Sequence, residues 1–176
     1  MNFNFRLANV EDISSIKWLM EQSINRILGN YVNKKELEAS FESMGLDDQL
    51  ILDKTYFLID FEGTLVGCGG WSNRKTLFGG NHTPNRSNDF LNPNKDAAKI
   101  RAMYTHPDWA RKGVGTLILE IAEKEASIAG FKRCELMATL SGIHLYKARG
   151  YKIDDEIIYK SKKGNSVKMF KMTKHL

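Results

Sequence analysis

The stretch that decides the fold is HPDWARKGVGTLILEIAEKEASIAG, His106 to Gly130. Before it, AAKIRAMYTHP reads as a strand that Pro107 ends. Behind it, Leu117, Ile118, Ile121, Ala122, Glu125 and Ile128 trace a helix, and Gly130 stands where a left-handed C-terminal cap belongs. Between the two lies PDWARKGVG. The first amides of a helix lack intrahelical partners, and the helix dipole adds partial positive charge there. Gly113 and Gly115 strip side chains from those amides, while Arg111 and Lys112 bring full charges. Two cations coinciding with two glycines favour a phosphate or pyrophosphate site over a merely tight turn. The spacing is not that of a Walker A loop, because Lys112 precedes the glycine. A dinucleotide-binding fingerprint would need a third glycine at position 118, which is Ile118, and an earlier place in the chain.

Working outward, FNFRLA (Phe3 to Ala8) reads as a short strand. Asn9 with Asp12 opens a helix along Ile13, Ile16, Met20, Ile24 and Ile27, and Gly29 stops it. Asn33 with Glu36 opens a shorter helix carrying Leu37 and Phe41 on one side. TYFLID and TLVGCGGW form a hairpin turning at Glu62-Gly63. Ser72 to Asp96, rich in Asn, Gly and Pro, is a long excursion without period, either functional or a loose surface insertion. KRCELMATL is a strand, SGIHLYKARG a short helix, and YKIDDEIIYK and SVKMFKMT a hairpin across KKGN. The order β-α-α-β-β-β-α-β-α-β-β over residues 1–176 is that of one α/β domain with a mixed sheet.

The chain has 176 residues, 42% of them hydrophobic and 27% charged, as in a globular protein. No apolar run of membrane-spanning length occurs, and MNFNFRLANVEDI does not read as a secretory signal. Cys68 and Cys134 have neither metal-ligand spacing nor a pairing framework, so they read as buried thiols of a cytoplasmic protein. No metal site is expected. The net charge of +5 suits an anionic ligand, but KSKK (Lys160 to Lys163) is the one basic cluster and no nucleic-acid-binding pattern accompanies it.

These residues resemble the GNAT superfamily of acyl-CoA-dependent N-acetyltransferases. The family's loop reads Arg or Gln, two residues, Gly, any residue, Gly or Ala, at a helix start after the fourth strand. Gly113 and Gly115 match it, while Ala110 stands at the Arg/Gln position with Arg111 beside it. Downstream, TLSGIHLYKARGY places Thr139, Gly142, Tyr146, Gly150 and Tyr151 at the spacing where many members have Asn, Ala, Tyr, Gly and Phe. The element order is similar as well. The resemblance implies a GNAT-like, mainly antiparallel sheet flanked by about four helices, with acetyl-CoA as cosubstrate. It implies that Met103, Tyr104 and Thr105 pair with the pantetheine arm. Arg111, Lys112, Gly113, Val114, Gly115 and Thr116 would hold the pyrophosphate. Thr139 would touch the pantetheine, and Tyr146 would protonate the leaving thiolate.

The chemistry suits these residue types. A phenol stays protonated at neutral pH and can serve a thiolate, and a backbone amide near Thr105 can meet a developing oxyanion. On its helix alone, Tyr146 would equally be core packing. The general base is open among Asp60, Glu62, His82, His106, Glu135 and His144. Trp71 and the long loop border either an acceptor pocket or the core. Trp18, Tyr31 and Phe41 face the same choice, and Arg101 meets either an acidic acceptor or a surface carboxylate. The expected activity is transfer of an acetyl group to a primary amine, on a small molecule or a protein N-terminus, within a ternary complex. No nucleic acid and no membrane are expected as partners, and the resemblance admits a homodimer. A non-catalytic CoA-binding sensor or scaffold is the alternative.

Overall fold

The computed structural model describes residues 2–176. β1 (Asn4–Leu7) leads into α1 (Ile13–Arg26), α2 (Lys34–Ser43) and α3 (Asp48–Leu52). β2 (Tyr56–Phe61), β3 (Thr64–Ser72) and β4 (Ala98–Thr105) follow, then α4 (Val114–Ile128), β5 (Arg133–Ala138), α5 (Ile143–Ala148), β6 (Lys152–Lys160) and β7 (Ser166–His175). The strands form one sheet in the order β1-β2-β3-β4-β5-β7-β6. Every neighbouring pair is antiparallel except β4 with β5. The expected mixed, mainly antiparallel α/β fold is present, with five α-helices where four were expected. The additional one, α3, spans a single turn and a half, too short to show a period.

Local chemistry sets the element ends. Asn9 and Asn33 each accept from the amide of a first-turn residue, and Asp12 and Glu36 return the bond to the Asn9 and Asn33 amides. Two apolar layers sandwich the sheet. One, under α4, gathers Phe57, Ile59, Val66, Trp71, Ile100, Ile118, Leu119, Phe131 and Phe170. The other, under α1 and α3, gathers Ile16, Leu19, Met20, Ile24, Leu50, Tyr56, Leu58, Cys68 and Tyr104. The glycines of VGCGG let α4 lie close on β3: a Cβ on Gly67 would sit 2.4 Å from Val114 Cγ1, and one on Gly69 2.6 Å from Ile118 Cγ2. Two sequence expectations change here. Phe41 is exposed while Ala39, Ser40 and Ser43 form the buried face of α2. Ile128 is exposed at the end of α4, and Leu119 takes the buried place.

The long excursion, residues 73–97, is not loose. Arg101 of β4 is 2% exposed and its guanidinium donates to Asp47 Oδ2 (3.0 Å), the Thr76 carbonyl (2.9 Å) and the Gly79 carbonyl (2.8 Å). Arg86 of the loop donates to Asp47 Oδ1 and to the Gly80 carbonyl (2.7 Å). Arg74 grips Asp53 through two bonds of 2.6 and 2.8 Å and lies over the Phe90 ring. Thr83 and His82 donate to the Glu42 and Phe41 carbonyls of α2. Loop, α2, α3 and β4 are thus tied through a buried carboxylate shared by two guanidinium groups.

Removing one member of a buried ion pair strands the other charge, at a cost of about 3–5 kcal/mol. Asp47→Ala is expected to destabilise the fold by about that amount in urea unfolding, and Arg86→Ala, whose side chain is partly exposed, by about 1 kcal/mol. Equal, small effects of the two substitutions would contradict this account of the loop.

Candidate active site

The parallel pairing of β4 with β5 lasts two residues: Ala98 opposite Cys134 and Lys99 opposite Glu135. An ion pair between the Lys99 ammonium and the Glu135 carboxylate closes it. Beyond that the strands part, and the β5-facing edge of Ile100 to Thr105 has no strand partner. A bulge turns β4 at this point: its register with β3 shifts between Cys68 and Gly70, and Ala102 adopts φ 49°. A left-handed alanine is strained. The Tyr56 hydroxyl holds it, donating to the Ala102 carbonyl at 2.7 Å from full burial.

The opening becomes a cleft of about 730 Å³, large enough for a substantial ligand. At one end is the start of α4. Gly113 is its N-cap at φ 90° and Arg111 has φ 63°, an arrangement that turns successive amides toward one side. The first bond inside the helix runs from the Leu117 amide to the Gly113 carbonyl at 3.0 Å, so the preceding amides have no intrahelical acceptor. A Cβ on Gly113 would meet nothing within 4 Å, which leaves the approach to those amides open. At the other end stands Tyr146 of α5. Its hydroxyl makes one long contact, 3.7 Å to Met103 Sδ, and burial pushes the phenol up to about 12. A Cβ on Gly142 would press on the Tyr146 ring at 3.0 Å, so the glycine at that place seats the ring.

Behind Tyr146 lies a second, smaller cavity of about 80 Å³. Met44, Met103, Tyr104, Thr139 and Tyr146 line both spaces, which marks the junction between them.

Of the residues singled out in the sequence, Met103, Tyr104, Thr105, Arg111, Gly113, Gly115, Thr116, Thr139 and Tyr146 line the cleft. Lys112 does not; its ammonium lies over the Trp109 ring at 4.9 Å. The Val114 side chain is in the core, leaving only its backbone for a ligand. Tyr31 lines the cleft wall from the turn after α1, while Trp18 is exposed and stacks on His106. Trp71 is core, edge-on to Phe131. Arg101 borders the smaller cavity, but its guanidinium is already bound to Asp47 and to the Thr76 and Gly79 carbonyls.

The candidate bases are mostly engaged or remote. Glu135 is held between Lys99 and Lys171. Asp60 and Glu62, where β2 turns into β3, line neither the cleft nor the cavity. His82 donates to the Phe41 carbonyl, and His106 Nδ1 accepts from the Asp108 amide. His144 lines the cleft. Among the described residues lining the cleft and the cavity there is no carboxylate.

Residues 17–151 match the acetyltransferase (GNAT) family, and the chain belongs to it. It is therefore an N-acetyltransferase, with acetyl-CoA as acyl donor. Solved structures share the fold along the whole chain. A GCN5-related N-acetyltransferase from Rhodopseudomonas palustris has a TM-score of 0.74 at 19% identity, covering 100% of this chain and 97% of its own. The PaiA N-acetyltransferase from Thermoplasma acidophilum, in complex with coenzyme A, has a TM-score of 0.65 at 15% identity, with both chains covered at 100%. The yncA protein of Salmonella typhimurium, a putative acetyltransferase with acetyl-CoA, has a TM-score of 0.65 at 16% identity, covering 100% and 95%. No curated protein sequence matches the chain.

Tyr56→Phe removes the donor to the Ala102 carbonyl and leaves that acceptor buried. It is expected to cost about 1–3 kcal/mol in unfolding free energy and to loosen acetyl-CoA binding by relaxing the bulge. Unchanged stability and affinity would show that the bulge holds itself.

Proposed function

We propose that the enzyme transfers the acetyl group of acetyl-CoA directly to a primary amine within a ternary complex, and that Tyr146 is the general acid. The observation that carries this reading is the Tyr146 hydroxyl at the junction of cleft and cavity, with its proton engaged only by a weak sulfur acceptor. The acceptor is a small molecule or a protein N-terminus. The two buried, free thiols suit a reducing, cytoplasmic setting.

The donor supplies an acetyl thioester. The residues present fit it: the open amides of Gly113 to Thr116, with Arg111 beside them, suit a pyrophosphate, and the unpaired edge of Met103 to Thr105 suits the amides of a pantetheine arm. That edge also offers an N–H to the carbonyl oxygen as charge grows there. Tyr146 gives its proton to the departing sulfur and recovers one from solvent. The departing thiolate, whose thiol has a pKa of about 8.5, takes that proton as the carbon–sulfur bond breaks, and the proton shed by the attacking nitrogen leaves to solvent. Among the described lining residues the one candidate base is His144, which borders the cleft and not the cavity; the acceptor reacts as the free amine already present in solution, and its deprotonation at pH 7 costs an alkylamine roughly 4–5 kcal/mol.

The pH dependence follows. The rate rises about tenfold per pH unit from 7 to 9 with an alkylamine acceptor. It then levels near the amine's own pKa of about 10. Tyr146, held protonated up to about 12, imposes no fall in that range. Tyr146→Phe is expected to lower kcat by about 100-fold or more with acetyl-CoA affinity preserved. It should change unfolding free energy by less than about 1 kcal/mol, because the hydroxyl makes only one long contact. A rate unchanged by Tyr146→Phe, or a fall above pH 8 in the unmodified enzyme, would remove Tyr146 from the role.

A further inference from the structure

The cavity behind Tyr146 has a lining chemistry of its own. Four of the chain's seven methionines face it, Met44, Met103, Met137 and Met169, together with Leu77 and Phe78. The one charged side chain among the described lining residues is Arg101, and its guanidinium is already taken by Asp47 and by the Thr76 and Gly79 carbonyls. The cavity therefore offers neither a free cation to a carboxylate nor a carboxylate to an ammonium. A charged group entering it would lose water without gaining a partner. Methionine side chains are flexible and polarizable, so they close around small apolar shapes that differ in detail.

The size is limited too. At about 80 Å³ it is smaller than the roughly 150 Å³ apolar cavity that admits benzene. Its walls come from several elements. The sheet supplies β4, β5 and β7, and the end of α2 supplies Met44. The loop segment carrying Leu77 and Phe78 is tied down by the Asp47 network. The Phe78 ring stands edge-on to Tyr159 at 6.0 Å, and Tyr159 donates to Glu42 of α2 at 2.8 Å.

We infer that the acceptor is a primary amine carrying a small uncharged group, about the size of a leucine or methionine side chain, and that this group fills the methionine-lined cavity while the amine stands at Tyr146. The inference rests on the amine-acetylation reading above and names its substrate class. Met137 and Phe78 then set specificity without touching the donor.

The test is calorimetric titration of the CoA-loaded protein with four amino-acid amides: leucinamide, methioninamide, lysinamide and the α-amide of aspartic acid. Leucinamide or methioninamide should bind at least 10-fold more tightly than the charged pair. Met137→Trp, and the milder Met137→Phe in case the larger ring prevents folding, should abolish that preference while the affinity for CoA stays within about twofold. Equal binding of all four amides, binding of none, or a leucinamide affinity indifferent to both variants would overturn the inference. So would a preference for butyryl-CoA over acetyl-CoA that both variants remove while amide binding persists, since the cavity would then hold the acyl tail. Turnover of the bound amide is read separately by thiol release. Leucinamide that binds with the expected preference yet is never acetylated upholds the cavity assignment and contradicts the acetylation reading alone.

Discussion

Everything at the site depends on β4 and β5 separating after two paired residues. A strand edge inside a sheet is normally satisfied by its neighbour, because an unpaired backbone donor or acceptor costs about as much as a lost hydrogen bond. Here the Lys99–Glu135 ion pair closes the pairing, and the Ala102 bulge swings the rest of β4 away. The left-handed alanine that makes this turn accepts a bond at its carbonyl from the buried Tyr56 hydroxyl. What results is a polar backbone edge facing a cleft, with the start of α4 at one end and Tyr146 at the other. A ligand bearing amides and a pyrophosphate can satisfy that edge and those helix-start amides together.

The second constraint is electrostatic. Asp47 is nearly inaccessible and takes two guanidinium groups, Arg101 from the sheet and Arg86 from the long loop. Buried ion pairs are not efficient stabilisers. This one fixes the position of a segment that has no regular hydrogen-bond ladder. The loop thereby becomes a rigid wall, and the wall carries Leu77 and Phe78 to the cavity.

Elements governed by near neighbours were legible from the chain alone. Asn9 with Asp12 and Asn33 with Glu36 announce helix starts, Glu62-Gly63 a hairpin, and ARKGVG a glycine-capped helix start, because each depends on contacts within a few residues. Features set by distant partners were not. Asp47 and Arg101 are 54 positions apart, and neither has a periodic context that reveals the pairing. Trp71 at a strand end, and Phe41 at helical spacing from Leu37, each gave two equal readings that only packing separates. The methionines of the cavity come from α2, β4, β5 and β7, so no local stretch is methionine-rich. The place of α3 was invisible because five residues do not make a period.

The most direct test of the central claim is calorimetric titration with acetyl-CoA of the unmodified protein and of Gly113→Trp. The space beside Gly113 is open, so an indole there would project over the amides of α4. Saturable binding by the unmodified protein is expected, and its loss, by 100-fold or more, in a variant whose circular dichroism is unchanged. Equal binding by both, or no binding by the folded unmodified protein at low salt, would contradict it.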